Sequence, residues 1–148
     1  MAVNLDGAFN TAQAAAKVFK SQGTGNIIFT TSMSAVIVNR PEPQAAVSFN
    51  IPQTFDFHKL TTPQYNASKA GLVHLAKSLA IEWVDFCRVN CISPGYIKTD
   101  MLANVPKDWL EKWLANSPGG RLGETHELKG VCLWARTNSV LFLIWSHC

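Results

Sequence analysis

The sequence predicts an α/β fold with a parallel sheet, and three observations lead there. Short runs rich in β-branched and aromatic residues, "NIIFTTS" and "RVNCIS", have the look of buried strands. Longer segments with helical composition alternate with them, and strands joined through helices lie parallel. The chain has 148 residues, enough for one domain with a sizeable core.

Each element follows from local chemistry. "NLDGAFNTAQAAAKVFKSQG" reads as a helix, because alanines dominate and Phe9, Ala12, Ala16 and Phe19 recur near helical spacing. Gly23 and Gly25 stop it. "NIIFTTS" follows as a strand ending at Ser32. A long helix starts around Pro63 and runs through "YNASKAGLVHLAKSLAIEW". "RVNCIS" is the second strand, halted by Pro94 and Gly95. "PKDWLEKWLAN" is a short amphipathic helix with Trp109, Leu110, Trp113 and Leu114 on one side. "ETHELKGVCLW" reads as one more helix despite Gly130. The stretch from Arg40 to Pro63 fits poorly: it holds four prolines, no clear periodicity, and is long for a loop inside a compact domain.

Composition excludes several classes. Apolar residues at 47% against 16% charged argue for a globular chain rather than a disordered one. The 13 Lys and Arg are scattered without a basic stripe, so nucleic acid is not an expected partner. The longest strongly apolar run, "VLFLIW" from Val140 to Trp145, is too short to span a bilayer, and the N-terminus has no signal pattern. Cys87, Cys91, Cys132 and Cys148 lack zinc-like spacing, and the histidines are dispersed. Reduced thiols, a cytoplasmic location and no metal site are the expectation.

"YNASKAG" carries the chemistry. Tyr65 and Lys69 stand at i and i+4, so they share one helix face about a turn apart. A free phenol ionises near pH 10, and an adjacent ammonium stabilises a phenolate. A hydroxyl at a strand end, such as Ser32, could bond the same substrate oxygen. The three could move a proton to or from a carbinol while a hydride moves elsewhere. A surface Tyr and Lys on an ordinary helix is the plain alternative.

The blocks "NLDGAF", "GNIIFTTSMSA", "YNASKAG", "RVNCISPGYIKTD" and "GRLGETHELKG" occur in this order. The set resembles the classical short-chain dehydrogenase/reductase family from residue 3 to about 134, with details similar to fungal sugar and polyol reductases. The resemblance implies a partial Rossmann-type doubly wound parallel sheet, one incomplete domain over residues 1–148. It implies an oxidoreductase using NADP or NAD, with NADP favoured, that interconverts carbonyl and hydroxyl groups on a small sugar- or polyol-like substrate. Tyr65 would be the general acid/base. Lys69 would favour the phenolate and hold the nicotinamide ribose. Ser32 would orient the substrate oxygen, with Ser34 the fallback. Asn4 would hold a water linking Lys69 to solvent. In "PGYIKT", Pro94 and Gly95 would shape the turn while Ile97 and Thr99 approach the carboxamide. Each has an ordinary alternative: Asn4 as a helix-start residue, Ser32 as a strand-end hydrogen bonder, Pro94–Gly95 as a plain turn. Trp109 and Trp113 fall where the family places a mobile substrate lid, or form a core stripe. Leu72, Leu75, Leu79 and Trp83 would form a homo-oligomer seam along the long helix, or an internal core stripe.

Three departures qualify the resemblance. The family opens with a strand and a glycine-rich turn that cradles the cofactor pyrophosphate, and no G-x-x-x-G-x-G block occurs here, so the N-terminal nucleotide-binding half is expected to be lacking. Ser32 and Tyr65 are 33 positions apart, farther than in the family, and removing residues 47–64 would leave 15. Val47–Ser48 can be encoded GTGAGT, Leu60–Thr61 can contain CTAAC and Gln64 can be CAG, so this insertion has the form of a translated intron. After Trp134 the tail "ARTNSVLFLIWSHC" departs from the family pattern, as a frameshift would, or as a divergent strand "SVLFLIW" would. Two strands without neighbours on either edge make a poor sheet. Weak dinucleotide binding by this chain alone follows, and a catalytically inactive fragment packing with an intact relative is the alternative function.

Overall fold

A computed structural model of the chain describes residues 2–38, 63–102, 105–137 and 143–145. The inserted stretch expected over 47–64 lies outside these as far as residue 62. The elements run α1 (Ala8–Gln22), β1 (Asn26–Thr30), α2 (Pro63–Glu82), β2 (Arg88–Pro94), α3 (Lys107–Ala115), α4 (Leu128–Thr137) and β3 (Leu143–Trp145).

The sheet is parallel, in the order β1-β2-β3. Phe29 pairs with Cys91, and Ile92 with Leu143. β2 is therefore central, and Val89 to Ser93 are all buried, as a strand covered on both faces requires. The expected two-stranded remnant is corrected here: part of the divergent tail supplies β3 and covers the outer edge of β2. Among the described residues β1 remains an edge strand.

Helices cover both faces of the sheet. Strand side chains alternate, and Val89 and Cys91 point into a core with Ala12 and Ala16 of α1 and Leu72, Val73, Ala76, Leu79 and Trp83 of α2. Asn90 points to the other side and donates Nδ2–H to the Ala135 carbonyl of α4 at 2.8 Å. Asn26 and Arg88 donate to the Arg136 carbonyl at 3.2 and 2.6 Å. A helix end leaves its last carbonyls without intrahelical donors, and these three strand side chains supply them. That support carries α4 past Trp134, where the sequence pattern alone would end it.

Of the two alternatives for the long-helix stripe, the structure shows the internal core. Leu72 and Leu79 are each 3% exposed and Trp83 is 8% exposed, and Leu75 packs against the same core. Their removal from water stabilises the fold by about 1.5–3 kcal/mol per aliphatic side chain.

The first helix also differs in detail. Residues Ala2–Gly7 form a π-helical turn before α1 begins at Ala8. Leu5 of that turn rests against Gly71 of α2, where an added Cβ would lie 3.4 Å from the Leu5 side chain. At the other end Gly23 closes α1 in the left-handed conformation, φ 71°, which favours glycine. A Cβ at Gly25 would fall 2.2 Å from the Phe19 ring.

Candidate active site

The C-terminal rim of the sheet collects most of the residues singled out from the sequence. β1 ends at Thr30, and Ser32 caps the 3₁₀ turn Met33–Ala35 that packs against α2. The Ser32 Oγ accepts the Ser34 N–H at 3.2 Å. Ser34 lies within the turn itself, half-buried. Pro94 is the last residue of β2, and Gly95 follows it out of the sheet.

Tyr65 and Lys69 lie on the first turns of α2, where Pro63 opens the helix. The Lys69 Nζ sits 5.6 Å from the centroid of the Tyr65 ring, inside the range of a cation–π contact. It also donates to the Thr30 carbonyl at 3.0 Å. The side chain is half-buried, and desolvation pulls the ammonium below its ordinary value of 10.5. Tyr65 and Lys69 are thus together on one helix face, and Lys69 reaches the end of β1. Among the described residues no hydrogen bond joins the Tyr65 phenol to Ser32.

Asn4 reaches the same helix from the π-helical turn. Its Nδ2–H donates to the Ser68 hydroxyl at 3.2 Å, and Ser68 donates to the Tyr65 carbonyl at 2.7 Å. Ser68 is 1% exposed. Its part was missed in the sequence, although its position between Tyr65 and Lys69 was a signal: a serine three residues on can bond back to a helix carbonyl.

The "PGYIKT" segment is held by long-range contacts. Ile97 bridges Gly123 in parallel fashion. Lys98 N–H donates to the Gly123 carbonyl at 2.8 Å, and Gly123 N–H to the Tyr96 carbonyl at 2.9 Å. Thr99 is exposed, and its hydroxyl donates to the Ile97 carbonyl at 3.4 Å. Trp113 of α3 stacks on Tyr96 at 5.0 Å and 6°, and Trp109 meets Trp113 edge-on at 6.3 Å. The tryptophan stripe therefore docks on the turn that follows β2. Burial pushes the Tyr96 phenol up to about 12. The contacts of Tyr96 and Gly123 were missed in the sequence, because their partners lie far away in the chain.

No described helix is long and apolar enough to cross a membrane, and no group of three potential metal ligands occurs among the described residues.

Comparisons with known proteins show what the chain is similar to. A family model described as enoyl-(acyl carrier protein) reductase matches residues 58–140. A sorbose reductase of Schizosaccharomyces pombe is 40% identical over 93% of this chain and 47% of the relative. An NADP-dependent mannitol dehydrogenase of Alternaria alternata is 42% identical over 88% of this chain and 42% of the relative. The crystal structure of an NADPH-dependent 3-quinuclidinone reductase from Rhodotorula rubra superposes with a TM-score of 0.78 at 37% identity, covering 97% of this chain and 49% of that one. The chain spans about half the length of the known relatives it matches. Its parallel sheet, covered on both faces, is part of the Rossmann-type fold of those structures. With more than half of its residues inside the family model and its tyrosine and lysine paired over the sheet rim, the chain belongs to the short-chain dehydrogenase/reductase family.

Proposed function

We propose that this chain carries the catalytic half of an NADP(H)-dependent oxidoreductase that interconverts a carbonyl and a hydroxyl group on a sugar, polyol or similar small substrate in the cytoplasm. The observation that carries the reading is the pairing of Tyr65 and Lys69 on one α2 face, with Lys69 bonded to the end of β1.

The rim suits the nicotinamide end of such a cofactor. An ammonium has three donors; Lys69 commits one to Thr30 and keeps others for ribose hydroxyls. Pro94 and Gly95 shape a turn with little side-chain bulk, and Ile97 and Thr99 follow on the same segment. When bound, the reduced cofactor supplies the hydride. The protein's part is position and proton transfer. In the reducing direction the Tyr65 hydroxyl gives its proton to the substrate oxygen. The Lys69 cation offsets the negative charge left on the phenol oxygen. Ser32 hydrogen-bonds the same substrate oxygen and orients it. Asn4, joined to α2 through Ser68, holds a water that returns a proton from solvent. Trp109 and Trp113 border the substrate side of the turn.

The test is purified chain with NADPH and a ketose such as sorbose or fructose. Cofactor oxidation that Tyr65→Phe abolishes supports the reading; no oxidation by the native chain sinks it.

A further inference from the structure

Two buried hydroxyls stand where the strand faces are otherwise apolar. Ile27, Phe29 and Thr31 share one face of the β1 line, and Val89, Cys91 and Ser93 one face of β2. Phe29, Val89 and Cys91 lie in the core, with Ile27 packed against it. The register sets Phe29 opposite Cys91 and Thr30 opposite Ile92, and the next step sets Thr31 opposite Ser93. Thr31 is 4% exposed and Ser93 0%.

Their bonds cross between the strands. The Thr31 N–H and the Thr31 hydroxyl both donate to the Ile92 carbonyl, at 2.8 and 3.2 Å. Thr31 has one hydroxyl proton, so in the Thr31–Ser93 hydrogen bond the Ser93 hydroxyl is the donor. Burying two hydroxyls beside an apolar core stabilises less than burying two methyl groups would. Their position supplies another reason for them. The residue after Thr31 is Ser32, and the residue after Ser93 is Pro94. Beyond this point the two segments diverge, one towards α2 and the other towards Gly123. Lys69 binds the Thr30 carbonyl one residue earlier.

We propose that Thr31 and Ser93 are a positioning pair, a hydroxyl tie that sets the spacing between the Ser32 wall and the Pro94–Gly95 wall of the site. What that spacing serves rests on the function proposed above; the tie itself can be tested without turnover. The experiment is site-resolved amide exchange on the full chain, with thermal melting alongside. The rim is read at Ala35, whose N–H donates to Ser32, and at Lys98, whose N–H donates to Gly123. The centre of the β1–β2 ladder, around Phe29 and Cys91, is the control. Thr31→Val leaves the Ser93 hydroxyl without its acceptor, so the melting temperature falls and rim exchange rises about tenfold. In Thr31→Val/Ser93→Ala no hydroxyl is left unpaired, so melting recovers towards the native value. The tie is still absent there, so rim exchange stays fast while the ladder centre is unchanged. Thr31→Ser retains both native behaviours. Should Thr31→Val not fold, Ser93→Ala alone leaves Thr31 bonded to Ile92 and gives the same local readout.

Rim exchange that returns to native together with melting in the double variant overturns the proposal, as does a rim that never departs from native. A local rise at the rim in a chain that does not oxidise NADPH upholds the tie and sinks the reductase reading alone. Turnover with an unchanged rim does the reverse.

Discussion

The Lys69 ammonium donates to the Thr30 backbone carbonyl at 3.0 Å while lying 5.6 Å from the Tyr65 ring centroid. One side chain thus ties the first turns of α2 to the end of β1 and faces the phenol from its own helix. A backbone carbonyl cannot move independently of its strand, so the cation is anchored to the sheet.

Replacing that cation has a predicted kinetic effect. Lys69→Met keeps the length of the side chain and removes the charge, and turnover should fall by about 10²-fold or more if it supports proton transfer. Desolvation lowers the Lys69 ammonium below 10.5, so the unfolded chain holds that proton more tightly than the folded one. Its contribution to stability is complete above pH 10.5 and is lost as pH falls through the lowered folded value. Native stability relative to Lys69→Met should therefore rise with pH across that window. A flat difference in denaturant midpoints would contradict it.

Tyr96 gives an optical test of the aromatic stack. The chain has 2 tyrosines, so Tyr65→Phe leaves Tyr96 alone to titrate. Its absorbance midpoint should lie near 12 rather than 10.0. Because the folded value is raised, the stability from keeping this phenol neutral is present below pH 10 and lost as pH rises through about 12. Trp113→Ala opens the stacked face and should bring the midpoint back towards 10. A folded Tyr65→Phe chain with an ordinary midpoint would disprove the burial.

Leu72 separates a core role from a seam. It is 3% exposed inside the chain, so Leu72→Ala should destabilise by about 2–5 kcal/mol. The loss should be the same at low and high protein concentration. A loss confined to concentrated samples would indicate a subunit interface.

The thiols report the packing of β2. Burial raises Cys91 to about 11 and pushes Cys87 up as well, whereas Cys132 is exposed. At pH 8 a thiol reagent should label Cys132 in the native chain, and Cys87 and Cys91 only after denaturation, as read by peptide mass spectrometry. Prompt native labelling of Cys91 would show that the β2 core is open.

Legibility in the sequence tracked the range of the interaction. Gly23 ending α1, Pro63 opening α2 and Pro94–Gly95 halting β2 are decided by backbone geometry within a few residues, and each was readable. So was the pairing of Tyr65 with Lys69, because helical spacing alone puts them on one face. The stripe of Leu72, Leu79 and Trp83 announced burial but not by what, since a periodic apolar face is the same whether its cover is a sheet or a subunit. Tyr96 meeting Trp113, and Ser68 joining Asn4 to the Tyr65 carbonyl, depend on elements brought together from far along the chain.

The divergent tail gives the clearest division. On its own, "SVLFLIW" marked apolar β-forming chemistry and nothing about a partner. Only the assembled sheet placed Leu143–Trp145 beside Ile92–Pro94, because a strand's hydrogen bonds are completed by another segment. What the sequence determined alone was local: the order of helices and strands, and a tyrosine and lysine sharing one helix face. What tertiary structure decided was contact: which apolar stripe became core, which edge of β2 was covered, and how Lys69 came to rest on the end of β1.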